Sequence, residues 1–357
     1  MKSTFILGTR PEIIKLSPLI RALLKLGSPF EIIHTNQHYL PELDRIFFEQ
    51  LELPPPDFNL GVGHDSHGVQ LGRMLQGLDP VLSRQKPDVV FVEGDTNSVL
   101  AGALMAHRLV IPVAHVEAGL RSYDRRMPEE TNRILTDRLS DYLLAPTEKA
   151  GKILIAEGFD KKRIHVTGNT VVDALYQAVS LCENLPTVEG RWKIESGNFI
   201  LVTLHRPENV DFPDTLAGIV DALERIGRKL EMPLVFPVHP RTALRLEEFG
   251  ISLPDAVHRL EPLDFLGFVQ LEKNSRLVIT DSGGVQEEAC ILGVPCVTAR
   301  LSTERPETVE VGANIVAGTD SDKILAAAVE MMALPTGWGN PFGDGHAGER
   351  IIDIVMA

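Results

Sequence analysis

The chain alternates strand-like and helix-like segments almost from end to end, and that alternation leaves few folds open to it. Short apolar runs suited to buried strands lie at Thr4–Leu7, Phe30–Thr35, Val89–Glu93, Val113–Glu117, Tyr142–Ala145 and Ile164–Thr167. Between them, helical patterns occupy Pro11–Lys25, Leu40–Gln50, Ser98–Leu109, Glu129–Asp141 and Lys149–Glu157. After a polar stretch at Pro186–Gly197 a second series begins. Its strands are Ile200–Leu204, Leu234–Val238, Val257–Leu260, Leu277–Thr280 and Cys296–Thr298, with a helix at Thr215–Leu230 between the first two. Repeated β-α units of this kind build parallel sheets with helices on both faces. The 357 residues suffice for two such domains, each with its own core. The fold expected is therefore α/β, with two doubly wound Rossmann-like domains facing across a cleft. Residues 1–170 would form the first, 171–344 the second, and 345–357 a short terminal helix.

Composition narrows the function. Net charge is −14, which argues against a nucleic-acid partner or an anionic membrane surface. No apolar run approaches the length of a membrane span, and Met1–Gly8 reads as a first strand rather than a signal peptide. Cys182, Cys290 and Cys296 have neither metal-ligand spacing nor an even count for disulfides, so reduced thiols and a cytoplasmic location are expected. The first strand runs into Gly8-Thr-Arg-Pro-Glu12 rather than G-x-G-x-x-G, and no Walker A sequence occurs, so redox use of NAD and ATP hydrolysis lose their main support.

Polar residues collect where strands give way to helices, the edge at which open α/β sheets bind ligands. Arg10 ends the first strand, with Lys15 one turn into the next helix. A guanidinium there suits phosphate or carboxylate recognition, because it bonds bidentately. Asp95, Glu117 and Glu129 fall at three successive transitions; each alone reads as a helix cap or dipole partner, and together they favour acid–base chemistry. Strand alternation sets His115 and Glu117 on one face, so both cannot be core. His205 and His239 end adjacent strands of the second series, each with an arginine close behind, and no metal motif includes them. In Arg276–Ala289, Asp281, Ser282, Gly283 and Gly284 separate a strand from a helix at Val285–Leu292. Unpaired N–H groups and the helix dipole there suit a phosphate, glycines allow its close approach, and Glu287 or Glu288 would reach a ribose. A plain helix cap with a solvated glutamate pair accounts for the same residues.

These segments together resemble the non-hydrolysing UDP-N-acetylglucosamine 2-epimerases. The matching motifs are Gly8-Thr-Arg-Pro-Glu-Ile-Ile-Lys15, Gly94-Asp-Thr96, His115-Val-Glu-Ala-Gly-Leu-Arg121, Pro128-Glu-Glu-Thr-Asn-Arg133, Thr167-Gly-Asn-Thr170, Asp281-Ser-Gly-Gly-Val-Gln-Glu-Glu288, Thr303-Glu-Arg-Pro-Glu307 and Asn340-Pro-Phe-Gly-Asp-Gly345. They keep the family order and span essentially the whole chain. The resemblance implies a GT-B-like fold whose terminal helix packs back on the first domain, and whose second domain binds UDP. It implies interconversion of UDP-GlcNAc and UDP-ManNAc, with no cofactor and no metal, by anti elimination of UDP to 2-acetamidoglucal and re-addition. By the same resemblance Asp95, Glu117, Glu129 and His205 are catalytic, and Arg10, Lys15, Arg133, His239, Ser282, Gly283, Gly284, Glu288 and Arg305 bind substrate or UDP. A homodimer supplying surface polysaccharide precursors is implied as well.

The chain also departs from the family pattern. His205 lies in His-Arg-Pro-Glu where many bacterial members have His-Arg-Arg-Glu, and the loop Gly119–Pro128 is shorter. Thr35–Arg45 lacks the glutamine pattern linked to allosteric UDP-GlcNAc binding. The alternatives are a 2-epimerase of a diacetamido uronic UDP-sugar, a GT-B glycosyltransferase, a hydrolysing epimerase and a non-catalytic sensor. A transferase would leave the carboxylate triad without a purpose, and a sensor would not need it.

Overall fold

The computed structural model describes residues 1–37 and 41–357, and of residues 41–44 the backbone alone. Leu40, the expected start of the second helix, and three residues of the segment Thr35–Arg45 lie outside the described residues; the helix runs over Pro41–Gln50. The chain divides into two compact units, one of Met1–Tyr176 with Phe342–Ala357, the other of Gln177–Pro341. The boundaries thus fall inside the helix Thr170–Cys182 and just after Pro341, rather than at 170/171 and 344/345.

The first unit contains seven strands: β1 (Ser3–Leu7), β2 (Phe30–His34), β3 (Phe58–Asn59), β4 (Val89–Glu93), β5 (Val113–Val116), β6 (Tyr142–Ala145) and β7 (Ile164–Val166). They are ordered β3-β2-β1-β4-β5-β6-β7, and all paired neighbours run parallel. Every residue of β1 and β4 is buried, which is why those segments read as unbroken apolar runs. Ser3 sits opposite Phe30 on one side and Val89 on the other, so the chain reverses its direction of travel across the sheet between β1 and β4. That switch point opens a crevice beyond the strand ends.

The second unit repeats the plan with β8 (Ile200–Thr203), β9 (Leu234–Pro237), β10 (Val257–Leu260), β11 (Leu277–Thr280), β12 (Cys296–Thr298) and β13 (Asn314–Val316). Their order is β10-β9-β8-β11-β12-β13, again all parallel, with the switch point between β8 and β11. The helix Pro213–Leu230 buries Leu216, Ile219, Val220, Leu223 and Ile226 against this sheet, at the spacing of one helical face.

Several elements escape the sequence reading, among them the helices Phe265–Asn274 and Ser321–Ala333, and three more show why. The helix His67–Gln85 carries Gly68, Gly72, Gly77 and Pro80, which lower its intrinsic propensity, yet Gln70, Met74, Leu78 and Leu82 recur every fourth residue on a buried face. Strands β3 and β13 have two and three residues, too few to show alternation. Among the described residues no helix is long and apolar enough to cross a membrane.

The chain's end is stitched into the first unit. Asn169 N–H donates to Phe342 O at 2.8 Å, and Arg350 Nη1 donates to Thr167 O at 2.5 Å. Asp173 accepts from the N–H groups of Ala347 and Gly348, capping the terminal helix Ala347–Met356 from a distance in sequence. Gly348 lies against Pro18 of the helix Arg10–Leu26, where an added Cβ would stand 2.7 Å from Pro18 Cβ and 3.0 Å from its carbonyl carbon. Helix propensity favours alanine over glycine by up to about 1 kcal/mol, whereas overpacking against backbone costs about 1–3 kcal/mol. Gly348→Ala is therefore expected to destabilise the protein, lowering the urea midpoint; a raised midpoint would mean that the two helices part without cost.

Candidate active site

At the switch point of the first unit the ends of β1, β4 and β5 bring four carboxyl groups around one lysine. Gly8 follows β1 in a space that admits no side chain, since a Cβ would lie 2.1 Å from Thr35 Oγ1 and 2.2 Å from Ser98 Oγ. The next helix starts at Arg10 with Pro11 in its first turn. Its Glu12 turns inward and is 1% exposed, accepting from Gly8 N–H at 2.5 Å and from Thr96 Oγ1 at 2.6 Å. Burial raises the Glu12 carboxyl to about 7 against those hydrogen bonds. One turn on, Lys15 forms ion pairs with Glu117 and with Glu93, its ammonium 3.3 Å from Glu93 Oε1.

Glu117 is held by a strained backbone. It follows β5 with φ +71°, a left-handed conformation that costs a side-chain-bearing residue about 1–3 kcal/mol. The turn is fixed where Glu117 N–H donates to Leu144 O and where Gly119, at φ +85°, packs so tightly that a Cβ would meet Ala150 O at 2.6 Å. The left-handed step ends the strand at Val116, so strand alternation does not extend to Glu117, and His115 and Glu117 are both buried, contrary to expectation. His115 is structural: Nδ1 lies 2.7 Å from Asp137 Oδ1, and Nε2 lies 2.9 Å from Gly94 O. Arg121 pairs with Asp137 at 2.7 Å and with Glu157. These buried contacts tie the turn after β4 to the turn after β5.

The helix Pro128–Leu139 supplies the third side. Arg133 bridges Asp95, at 2.6 Å, and Glu130, at 2.9 Å, while Asn132 Nδ2 donates to Asp95 O. Burial raises the Asp95 carboxyl above the usual range, although the Arg133 charge pulls the other way. Glu130 is committed to the backbone of Ser122 and Tyr123. Its neighbour Glu129 is half-buried and makes no hydrogen bond or ion pair among the described residues. Arg10 is exposed, its guanidinium 5.5 Å above the Phe47 ring.

In the second unit the ends of β8 and β11 meet at the switch point. Asp281, fully buried, accepts from His205 N–H at 3.1 Å, Arg206 N–H at 3.0 Å and Asn209 Nδ2 at 3.1 Å. It also lies 3.2 Å from His205 Nδ1. Burial opposes ionisation of Asp281, but the bonds from His205 and Arg206 prevail and hold it below the usual carboxylate range. With Nδ1 engaged by Asp281, Nε2 is the ring nitrogen of His205 turned to other partners. The His239 ring stands 5.6 Å away, and its Nδ1 accepts from Arg241 N–H as the cap of the helix Pro240–Glu248. Neutral His239 therefore carries its proton on Nε2, and burial, then the nearby His205, lower its pKa.

Ser282 caps the helix Gly283–Leu292, accepting from Val285 N–H, so both glycines belong to the helix rather than preceding it. Their N–H groups occupy its first turn, where no intrahelical acceptor exists. Neither glycine is demanded by packing: a Cβ at Gly283 or Gly284 would meet nothing closer than 3.6 Å or 3.9 Å. Glu287 is buried and paired with Arg305 at 3.2 Å, which separates it from Glu288. Arg300 holds Glu304 through two bonds of 2.7 and 2.8 Å, drawing that carboxyl down to about 2. Glu93, Asp281 and Arg300 carry no signal beyond an apolar strand end or a turn, and sequence reasoning passes over them as site residues.

A sequence profile described as UDP-N-acetylglucosamine 2-epimerase matches residues 26–356. The chain belongs to the UDP-N-acetylglucosamine 2-epimerase family. A UDP-N-acetylglucosamine 2-epimerase of Methanocaldococcus jannaschii is 52% identical over 361 aligned residues that cover 99% of each chain. The crystal structure of a UDP-GlcNAc 2-epimerase from that organism, in complex with UDP-GlcNAc and UDP, superposes with a TM-score of 0.87 over 100% of this chain and 99% of that one, at 52% identity. A UDP-2,3-diacetamido-2,3-dideoxy-D-glucuronate 2-epimerase of Pseudomonas aeruginosa is 42% identical over 357 residues, 99% of each chain.

In this member of the UDP-N-acetylglucosamine 2-epimerase family, Glu12 makes stability depend on pH. Its folded pKa of about 7 lies above the ordinary 4.5. Below about pH 4.5 it is protonated folded and unfolded alike; as pH rises toward 7 the unfolded chain releases the proton first, so stability is lost across that window, at about 1.4 kcal/mol per pH unit. Glu12→Gln has no proton to release. The stability difference between variant and parent, from urea unfolding, is expected to move in the variant's favour from pH 4.5 to 7 and to level off above; a pH-independent difference would show that Glu12 is not held protonated.

Proposed function

We propose that this protein interconverts UDP-GlcNAc and UDP-ManNAc, and that the carboxyl cluster around Lys15 is where C2 loses and regains its proton. The observation that carries this reading is Glu117, held in a costly backbone conformation beside an ammonium and within the field of Asp95. The C2–H bond is barely acidic. Departure of UDP must therefore run ahead of proton removal, leaving C1 with oxocarbenium character that nearby carboxylates stabilise. As the C1–O bond breaks its electron pair leaves with UDP, and the pair of the C2–H bond becomes the C1=C2 bond of 2-acetamidoglucal. In the return step a phosphate oxygen adds to C1 and C2 takes a proton on the opposite face. Proton traffic on two faces requires more than one acid–base group, supplied on this reading by Asp95, Glu117 and Glu129. The bonds made and broken balance within the substrate and call for no redox partner.

The second unit takes the nucleotide on this reading. His205, its Nδ1 fixed by Asp281, assists the leaving phosphate through Nε2. Ser282, Gly283 and Gly284 present the helix N-terminus to the diphosphate. Glu288 holds the ribose, and Arg305, Arg10 and His239 make further substrate contacts. Lys15 and Arg133 position the carboxylates they pair with. The relative that acts on a diacetamido uronate supports a second substrate reading, with the same machinery and a different sugar. The family resemblance further supports a cytoplasmic homodimer that supplies a polysaccharide precursor.

Purified protein with UDP-GlcNAc is expected to form UDP-ManNAc, resolved by chromatography. Glu117→Gln is expected to lose turnover by about 10³-fold while UDP binding, read by calorimetry, persists. Near-parental turnover in that variant would overturn the role of Glu117, and turnover of the diacetamido uronate alone would favour the second substrate.

A further inference from the structure

Glu93 is the last residue of β4, and it is 2% exposed. Its carboxyl lies near that of Glu117, because both flank the same Lys15 ammonium. Lys15 reaches both, through an ion pair with Glu117 and across 3.3 Å to Glu93 Oε1, which among the described residues makes no hydrogen bond of its own. Two carboxyl groups held this close out of water do not both ionise readily, and one ammonium answers only one negative charge. Two further acidic groups surround the pair: Glu12 from the helix Arg10–Leu26 acts on Glu93, and Asp95 acts on Glu117, its own charge met by Arg133 of the helix Pro128–Leu139. Burial, then the nearness of Glu117 and Glu12, hold the Glu93 carboxyl well above the ordinary range in spite of Lys15.

We infer that Glu93 and Glu117 share a single proton under the clamp of Lys15, and that Glu93 is a positioning residue that keeps Glu117 ionised and aimed by donating that proton to it in a hydrogen bond. The inference rests on the proposed role of Glu117. The O–H stays on Glu93 and donates to a Glu117 oxygen, so Glu117 remains the carboxylate able to take a proton from carbon. When Glu117 takes that proton, both carboxyls are neutral beside the lysine ammonium, and the unbalanced positive charge favours its release. At alkaline pH loss of the shared proton sets two carboxylates against each other, and the geometry of Glu117 is lost. The pair titrates as one unit with two macroscopic steps.

Infrared difference spectroscopy reads the proton directly, through the carbonyl stretch of a protonated carboxyl. Parent-minus-variant spectra at neutral pH are expected to show that band for Glu93→Gln, which removes the acid. They are expected to show it for Glu117→Gln also, because Glu93 then has Lys15 to itself and ionises. The second variant decides the matter should the first fail to fold. The kcat profile of Glu93→Gln is expected to lack the alkaline limb of the parent, since an amide cannot lose its proton. Glu93→Leu, which cannot donate, is expected to lose about 10²-fold in kcat with UDP binding retained. Absence of the band from both difference spectra, or an alkaline limb unchanged in Glu93→Gln, would overturn the inference. Full activity of Glu117→Gln would instead sink the proposed role of Glu117, while the infrared result would still decide whether a proton is shared.

Discussion

Placing carboxyl groups out of water at the ends of parallel strands is the constraint on which the first unit's site depends. An unpaired buried charge is expensive, so each must be neutralised, paired or hydrogen-bonded. Glu117 has Lys15, Asp95 has Arg133, and Glu12 has the Gly8 N–H and the Thr96 hydroxyl. Removing one partner would strand the other, which makes the arrangement cooperative rather than a set of separate contacts. Its rigidity comes from below, where His115, Asp137 and Arg121 lock the two turns that carry Asp95 and Glu117. The strain at Glu117 persists because those turns over-determine it.

The second unit solves a different problem with the same topology. The buried acids at its switch point are already committed: Asp281 orients His205 and the backbone behind it, and Glu287 pairs with Arg305. What it offers a ligand is backbone N–H groups at a helix start and an imidazole nitrogen. The glycines sharpen the contrast. Gly8, Gly119 and Gly348 are glycine because neighbouring atoms leave no room for a Cβ. Gly283 and Gly284 have room for one, so packing does not account for them.

Much of this architecture is legible in the sequence. Apolar runs and helical periods give both parallel sheets and most strand limits, because buried parallel strands have no polar face to blur them. The motifs give the family, since their order along the chain is far more specific than any one of them. Elements that rest on tertiary context are not legible. The glycine-rich helix His67–Gln85 forms only because Met74, Leu78 and Leu82 are buried, and β3 and β13 exist as edge pairings of two or three residues. The fine structure of the acid cluster is equally hidden. Alternation misreads His115 because the backbone at Glu117 turns left-handed, and nothing local marks the terminal residue of an apolar strand, Glu93, as a partner of Glu117. The resemblance assigns Lys15 to substrate or UDP, and its ion pair with Glu117 emerges only when the fold brings β5 alongside.

The central claim is that a proton leaves C2 while UDP is detached, and proton NMR in deuterated water tests it most directly. The protein is incubated with UDP-GlcNAc, with no NAD or metal added. The account predicts that UDP-ManNAc accumulates and that deuterium enters C2 of both sugar nucleotides. Epimerisation with the original hydrogen retained at C2, or no exchange of that hydrogen with solvent while UDP-ManNAc forms, would contradict it.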